Sequence, residues 1–185
     1  RNKNNLQDAK RDKKKLNFIV AIGDNHLRER VFQYLKKNSM PIVKIIHPKA
    51  IVSEDAKIKK GVFVAAGVTI STNVFISENT IINTGAVIDH HSKVGQSSHI
   101  GPGVKIAGNV TVGSSCFIGL GSSVIESIKI ANGTTVGAGA VVINNLAGNL
   151  TYVGVPATKI ISSKEGKILF LGRKNCKYSK KIYFL

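Results

Sequence analysis

From Ile46 to Val142 every sixth residue is aliphatic: Ile46, Val52, Ile58, Val64, Ile70, Ile76, Ile82, Ile88, Val94, Ile100, Ile106, Val112, Ile118, Val124, Ile130, Val136 and Val142. An α-helix repeats near 3.6 residues and a half-buried strand near 2, so neither accounts for this period. Positions two before each hit are mostly small or apolar, as at Ala50, Ala56, Val62, Val68, Val74, Ala86, Val104, Val110 and Cys116, with Thr80, Ser92 and Ser98 as polar members. Positions just after are usually small or polar, as at Ala65, Ser71, Gly95, Gly101, Gly113, Gly119 and Gly137. A sustained hexapeptide period predicts a β-helix, with each hexapeptide one flat side of a three-sided coil. The aliphatic residue points into the prism and stacks on its equivalents one coil before and after. Each coil buries its inner surface only against its neighbours. Each buried aliphatic side chain contributes roughly 1.5–3 kcal/mol, most of it offset by chain entropy.

Charge is concentrated outside the repeat. The 185-residue chain has a formal net charge of +17. Residues 1–15 carry seven Lys/Arg and two Asp, and residues 162–185 carry seven Lys/Arg and one Glu. Such ends read as solvated tails rather than a nucleic-acid interface, and the modestly basic middle suits anionic small ligands. No apolar run approaches 18 residues, so no membrane span is expected. The basic, polar N-terminus lacks the apolar core of a secretory signal, and two distant cysteines make no disulfide framework. A cytoplasmic protein is therefore expected. Cys116 falls on the inward ladder as a small core residue, while Cys176 lies in the C-terminal tail.

In chain order, Leu16 to Gly23 reads as a strand, and Asp24 or Asn25 as a helix cap. Leu27, Val31, Tyr34 and Leu35 follow at helical spacing, Asn38 closes the helix, and Ile42 to Ile46 reads as a second strand. This is a β-α-β unit. After Val142, "INNLAGNL" breaks the repeat, and "TYVGVPATKII" reads as the segment that closes the last coil. The expected divisions are 1–45, a basic lead-in with the α/β unit; 46–161, the β-helix; and 162–185, a basic extension. "KILFLG" and "KIYFL" in that extension read as short strands.

The segments "FIVAIGDNHLRERVFQYLKKN", "IVKIIHPKAIVS", "INTGAVIDHHSKVGQSSHIGPGVKIAGNVTVG" and "VGVPATKII" together resemble the hexapeptide-repeat sugar O- and N-acetyltransferases. That group includes the sialic acid O-acetyltransferases and the UDP-4-amino-sugar N-acetyltransferase of bacillosamine synthesis, and the resemblance runs from about Phe18 to Ile161. It implies a left-handed parallel β-helix preceded by a partial Rossmann-like β-α-β unit that binds a nucleotide sugar. It also implies acetyl-CoA as acetyl donor, no metal, and as acceptor a nucleotide-activated amino sugar or sialic acid in surface glycan synthesis. In the family the α/β unit opens with a strand and a Gly-rich loop carrying a His. No such segment is seen upstream of Leu16, so either a truncated chain or the loss of part of that acceptor site is expected, with a non-catalytic scaffold or remnant as the rival reading.

Acyl transfer to an amine or hydroxyl needs a base for the acceptor's proton and donors for the oxyanion. Of five histidines, His90, His91 and His99 fall off the inward ladder. The resemblance makes His90 the general base, puts His99 near the thioester, and makes Asn83 an active-site residue that holds acceptor or base; His99 or a main-chain amide is expected to stabilise the oxyanion. The family has an acidic residue after the base; here that position is His91, leaving His91 or Asp89 to orient His90. Gly108 and Ala138, with His99, match cofactor contacts, and Gly23, Asp24 and Asn25 match a sugar-nucleotide loop. The remaining glycines are turn residues, and they also leave room for a pantetheine arm. His90 and His99 are nine residues apart, half a coil, on roughly opposite sides of one prism. They meet at one site only if prisms pack around an axis, so a homotrimer is expected; a monomer with both as surface residues is the alternative. His26 and His47 receive no role.

Overall fold

The computed structural model describes residues 16–162 and 168–170. Two-residue strands alternate with turns from Ile45 to Val142 and stack in parallel at eighteen-residue spacing, as in Ile46↔Val64 and Val64↔Ile82. They form three faces. The first comprises Ile45–Ile46, Phe63–Val64, Ile81–Ile82, His99–Ile100, Phe117–Ile118, Thr135–Val136 and Thr151–Val153. The second comprises Ile51–Val52, Thr69–Ile70, Val87–Ile88, Lys105–Ile106, Ser123–Val124 and Val141–Val142. The third comprises Lys57–Ile58, Phe75–Ile76, Lys93–Val94, Thr111–Val112 and Lys129–Ile130. The chain is a parallel β-helix, as the period predicts.

The ladder fills the prism: fifteen aliphatics from Ile58 to Val142 are buried. The first two expected members differ. Ile46 is 37% exposed and Val52 only partly buried. They lie in the first coil, where stacking comes from one side alone. The polar inward residues are satisfied by the next coil. Thr80, Ser92, Ser98 and Ser122 donate to the carbonyls of Gly95, Ala107, Gly113 and Gly137, and the Cys116 thiol bonds that of Ala131. Each partner is fifteen residues on, so a hydroxyl inside the prism replaces an apolar contact without leaving an orphaned polar group.

Corners follow the same clock. Every sixth residue from Gly61 to Gly139 has a positive φ. On the edge between first and second faces all five are glycine: Gly67, Gly85, Gly103, Gly121 and Gly139. On the edge between second and third faces they are Asn73, His91, Asn109 and Ser127.

The expected β-α-β unit is reduced. Its strands amount to one parallel bridge, Phe18↔Ile42, around helix α1, Asn25–Lys37. Asp24 caps α1, its Oδ1 accepting from the Leu27 N–H at 2.7 Å. The buried stripe is Asn25, Arg28, Phe32 and Leu35, whereas Leu27 and Tyr34 are exposed. The expected stripe is therefore rotated toward Arg28. The reason is the surface beneath, a coil edge rich in carbonyls. Arg28 is fully buried and donates to the carbonyls of Ile22, Gly23, Asn79, Ser97 and Ser98 and to Asn25 Oδ1. Burial lowers its pKa to about 10, against the opposing fields of Asp24 and Glu29. Glu29 adds hydrogen bonds from Ser97, Gln96 and Asn79, and Asn25 Nδ2 donates to the Cys116 carbonyl. These contacts fix the loop at residues 23–25 against the first face.

The last coil is shorter by two residues: Val136 pairs with Tyr152, and Ile130 bridges to Leu146. The chain then reverses, and Thr158–Ser162 runs antiparallel to Thr151–Val153. Ile168–Phe170 adds a further antiparallel strand, in line with the expectation for "KILFLG". The "KIYFL" segment and Cys176 lie outside the described residues.

Candidate active site

His90 follows the strand Val87–Ile88 and sits exposed on the edge between second and third faces. Its ring lies over Gly108, one coil on: a Cβ at Gly108 would come 2.4 Å from His90 Cε1 and 2.7 Å from Nε2. Only glycine lets the imidazole rest there. His90 Nδ1 is 3.1 Å from His91 Nδ1, with the rings edge to face. Asp89 is engaged elsewhere, its Oδ1 accepting the His90 backbone N–H at 2.7 Å. Of the two expected orienting residues, His91 is therefore the one at the imidazole. Among the described residues His90 Nε2 has no hydrogen-bond partner.

His99 opens a strand of the first face and is half-buried. Its Nδ1 is 3.4 Å from the Gly23 carbonyl and its Nε2 is 3.3 Å from Asn83 Nδ2. Asn83 Oδ1 accepts from the Thr84 N–H at 2.8 Å, which turns the amide nitrogen toward His99. An amide nitrogen only donates, so Nε2 is the acceptor and Nδ1 carries the hydrogen. Burial lowers the pKa of this imidazole; the Gly23 carbonyl opposes the shift and the Arg28 guanidinium adds to it. His99 is thus held neutral with both nitrogens engaged. It offers no N–H outward, and the second amide hydrogen of Asn83 is the donor this cluster presents.

Phe117 stacks edge to face on His99 and lines an open cleft of about 300 Å³ with Gly23, Asp24, Asn25, His26, Ser115, Gly133 and Thr135. Of the expected loop residues, Gly23 and Asp24 are exposed there, while Asn25 is buried with its amide used in docking. Within one chain the structure makes two clusters: His90 with His91 and Gly108, and His99 with Asn83 and Gly23. Ala138 lies exposed beside Gly139 on the all-glycine edge, away from Gly108. Sequence reasoning missed Arg28 and Phe117. The signal for Arg28 was its spacing with Phe32 and Leu35; Phe117 shares an outward column with His99, eighteen residues on.

Among the described residues no group of three or more His, Cys, Asp or Glu could hold a metal ion, and no helix is long and apolar enough to cross a membrane. No protein-family sequence profile matches the chain. Solved structures do. PerB from Caulobacter crescentus, in complex with CoA and GDP-perosamine, is 39% identical with a TM-score of 0.82, over 85% of this chain and 76% of that one. The acetyltransferase domain of PglB from Neisseria gonorrhoeae, in complex with acetyl coenzyme A, is 30% identical with a TM-score of 0.75, over 76% and 69%. Sharing this identity over most of both chains, the protein belongs to the β-helix sugar N-acetyltransferase family.

Proposed function

We propose that this chain transfers the acetyl group of acetyl-CoA to the amino group of a nucleotide-linked sugar. The observation that carries the reading is His90, its ring seated on Gly108, its Nδ1 engaged by His91 and its Nε2 open. The similarity to PerB and PglB supports the donor, and PerB's GDP-perosamine supports an amine acceptor over a hydroxyl. The acceptor nitrogen bonds the acetyl carbon while His90 Nε2 takes its proton. The carbon–sulfur bond then breaks and the proton passes to the departing sulfur, giving amide and free thiol. The oxyanion between these steps is met by the Asn83 amide or a main-chain N–H.

A homotrimer supports this chemistry. His90 with Gly108 and His99 with Ala138 occupy different edges and faces of one prism, so a groove between neighbouring prisms joins them. The all-glycine edge leaves open space, since a Cβ at Gly85, Gly103, Gly121 or Gly139 would meet no atom within 4 Å. A pantetheine arm fits along such an edge. Gly23 and Asp24 in the cleft beside Phe117 are the proposed contacts for the acceptor. A cytoplasmic enzyme, as expected from the sequence, is part of this reading.

The test is release of free CoA thiol with a panel of nucleotide amino sugars and their hydroxyl counterparts. Acetylation of an amine is expected. Acetyl-CoA binding without turnover on any acceptor overturns the proposal in favour of a scaffold, and turnover on hydroxyls alone overturns the amine.

A further inference from the structure

His90 and His91 place two imidazole nitrogens 3.1 Å apart, Nδ1 facing Nδ1. Nitrogens at that distance hold one proton between them, one donating and one accepting. Counting protons over the four ring nitrogens defines the states. The neutral pair carries two. For His90 Nε2 to keep its lone pair, His90 must carry its proton on Nδ1, donate it to His91 Nδ1, and leave the His91 proton on Nε2. A third proton fills His90 Nε2, whichever Nδ1 then holds the bridging proton. A fourth would put protons on both facing nitrogens and set two cations in contact, which like-charge repulsion opposes.

We infer that His91 is a positioning residue that makes the two imidazoles one proton-sharing base. The inference deepens the acetyl-transfer reading above and rests on it. As the acceptor nitrogen bonds the acetyl carbon, its proton passes to His90 Nε2. The bridge spreads the new charge onto His91, which is exposed to water. When the carbon–sulfur bond breaks, the proton leaves Nε2 for the sulfur and the pair is neutral again. No other reactant enters.

The turn does not demand an imidazole at this corner. His91 has a φ of 59°, and the equivalent corners one coil before and after are Asn73 and Asn109, at 56° and 58°. The charged groups on this edge are Glu54, Asp55, Asp89 and Glu126, with Lys57, Lys93, Lys105 and Lys129 on the flanking strands. Asp89 is turned to the His90 backbone N–H, and Asp55 accepts from Ser53, Thr72 and the Asn73 N–H. Neither substitutes for His91 at Nδ1.

Because asparagine already occupies the corners on either side, His91→Asn removes the imidazole without backbone cost and His91→Glu supplies a carboxylate. Two readouts are taken on the full chain: nitrogen-15 NMR of the ring tautomers, and kcat with KM for acceptor and acetyl-CoA. The parent is expected to show a coupling through the hydrogen shared by the two Nδ1 atoms, with His90 Nε2 unprotonated and His91 Nε2 protonated. His91→Asn should melt like the parent, leave KM for acetyl-CoA unchanged and lower kcat about tenfold. His91→Glu, which supplies an acceptor for the same Nδ1 hydrogen, should restore kcat. A parent without that coupling, or parental kcat in His91→Asn, overturns the inference. The coupled tautomer in a parent that acetylates no acceptor overturns the acetyl-transfer reading, and with it the role of the pair as a base.

Discussion

A single missing methyl group governs the candidate base. Gly108→Ala would place a Cβ 2.4 Å from His90 Cε1, and the ring, being a mobile side-chain end, would swing aside rather than the coil unfold. The expected outcome is an unchanged melting temperature with kcat lowered about tenfold or more. His90→Ala, which removes the base itself, should lower kcat by roughly 10²–10⁴-fold with little change in acetyl-CoA affinity. Parental turnover in either variant would remove His90 from the chemistry. His99 makes a different prediction. Its folded pKa is lowered, so the unfolded chain binds a proton there that the folded chain does not. Its contribution to stability is complete above the ordinary value of about 6.5 and is lost as pH falls through the lowered one. Denaturation midpoints followed from neutral pH downward should fall less steeply for His99→Gln than for the parent. At this scale the sequence, through its resemblance, named His90, Asn83 and Gly108, and the structure sets His90 against Gly108 and Asn83 against His99. The sequence was silent on tautomers, because the hydrogen of His99 is set by a carbonyl 76 residues away.

Among the elements, α1 shows what periodicity misses. An apolar count selects Leu27, Val31, Tyr34 and Leu35, of which only Leu35 is buried; beside its apolar cluster α1 meets a row of carbonyls, which Arg28 satisfies better than any aliphatic residue. A burial pattern read for core-facing helices rotates the wrong way when the partner is a coil edge. Gly61 tests the docking. It has a φ of 73°, and an added Cβ would lie 2.6 Å from Phe32 Cε2. Gly85 has a φ of 66° and open space. Gly85→Ala should cost only the left-handed backbone penalty, about 1–2 kcal/mol. Gly61→Ala should cost more and expose α1 to protease before the prism unfolds. Equal melting and equal cleavage in the two variants would mean that Phe32 does not hold the helix down.

Across the whole molecule the hexapeptide clock made the prism legible from end to end, because each rung repeats one local rule. Ile88 is fully buried within that ladder, and Ile88→Asp should yield no folded protein, since an unpaired charge there has no partner. Assembly is not written in the repeat. Sedimentation at micromolar concentration is expected to give three times the 19.8 kDa chain, and a monomer would separate His90 from His99. The shortened last coil was visible only as a break in rhythm, yet it has a consequence of its own. A stack of identical parallel rungs has no intrinsic length, and its open end is a template for any extended chain. Here all three sides are closed. Leu146 N–H bonds the Lys129 carbonyl, Ala157 N–H bonds that of Val141, and Thr158–Ser162 covers Thr151–Val153 in the reverse direction. The prism thus carries its own terminator, and a chain relieved of it would grow end to end into filaments.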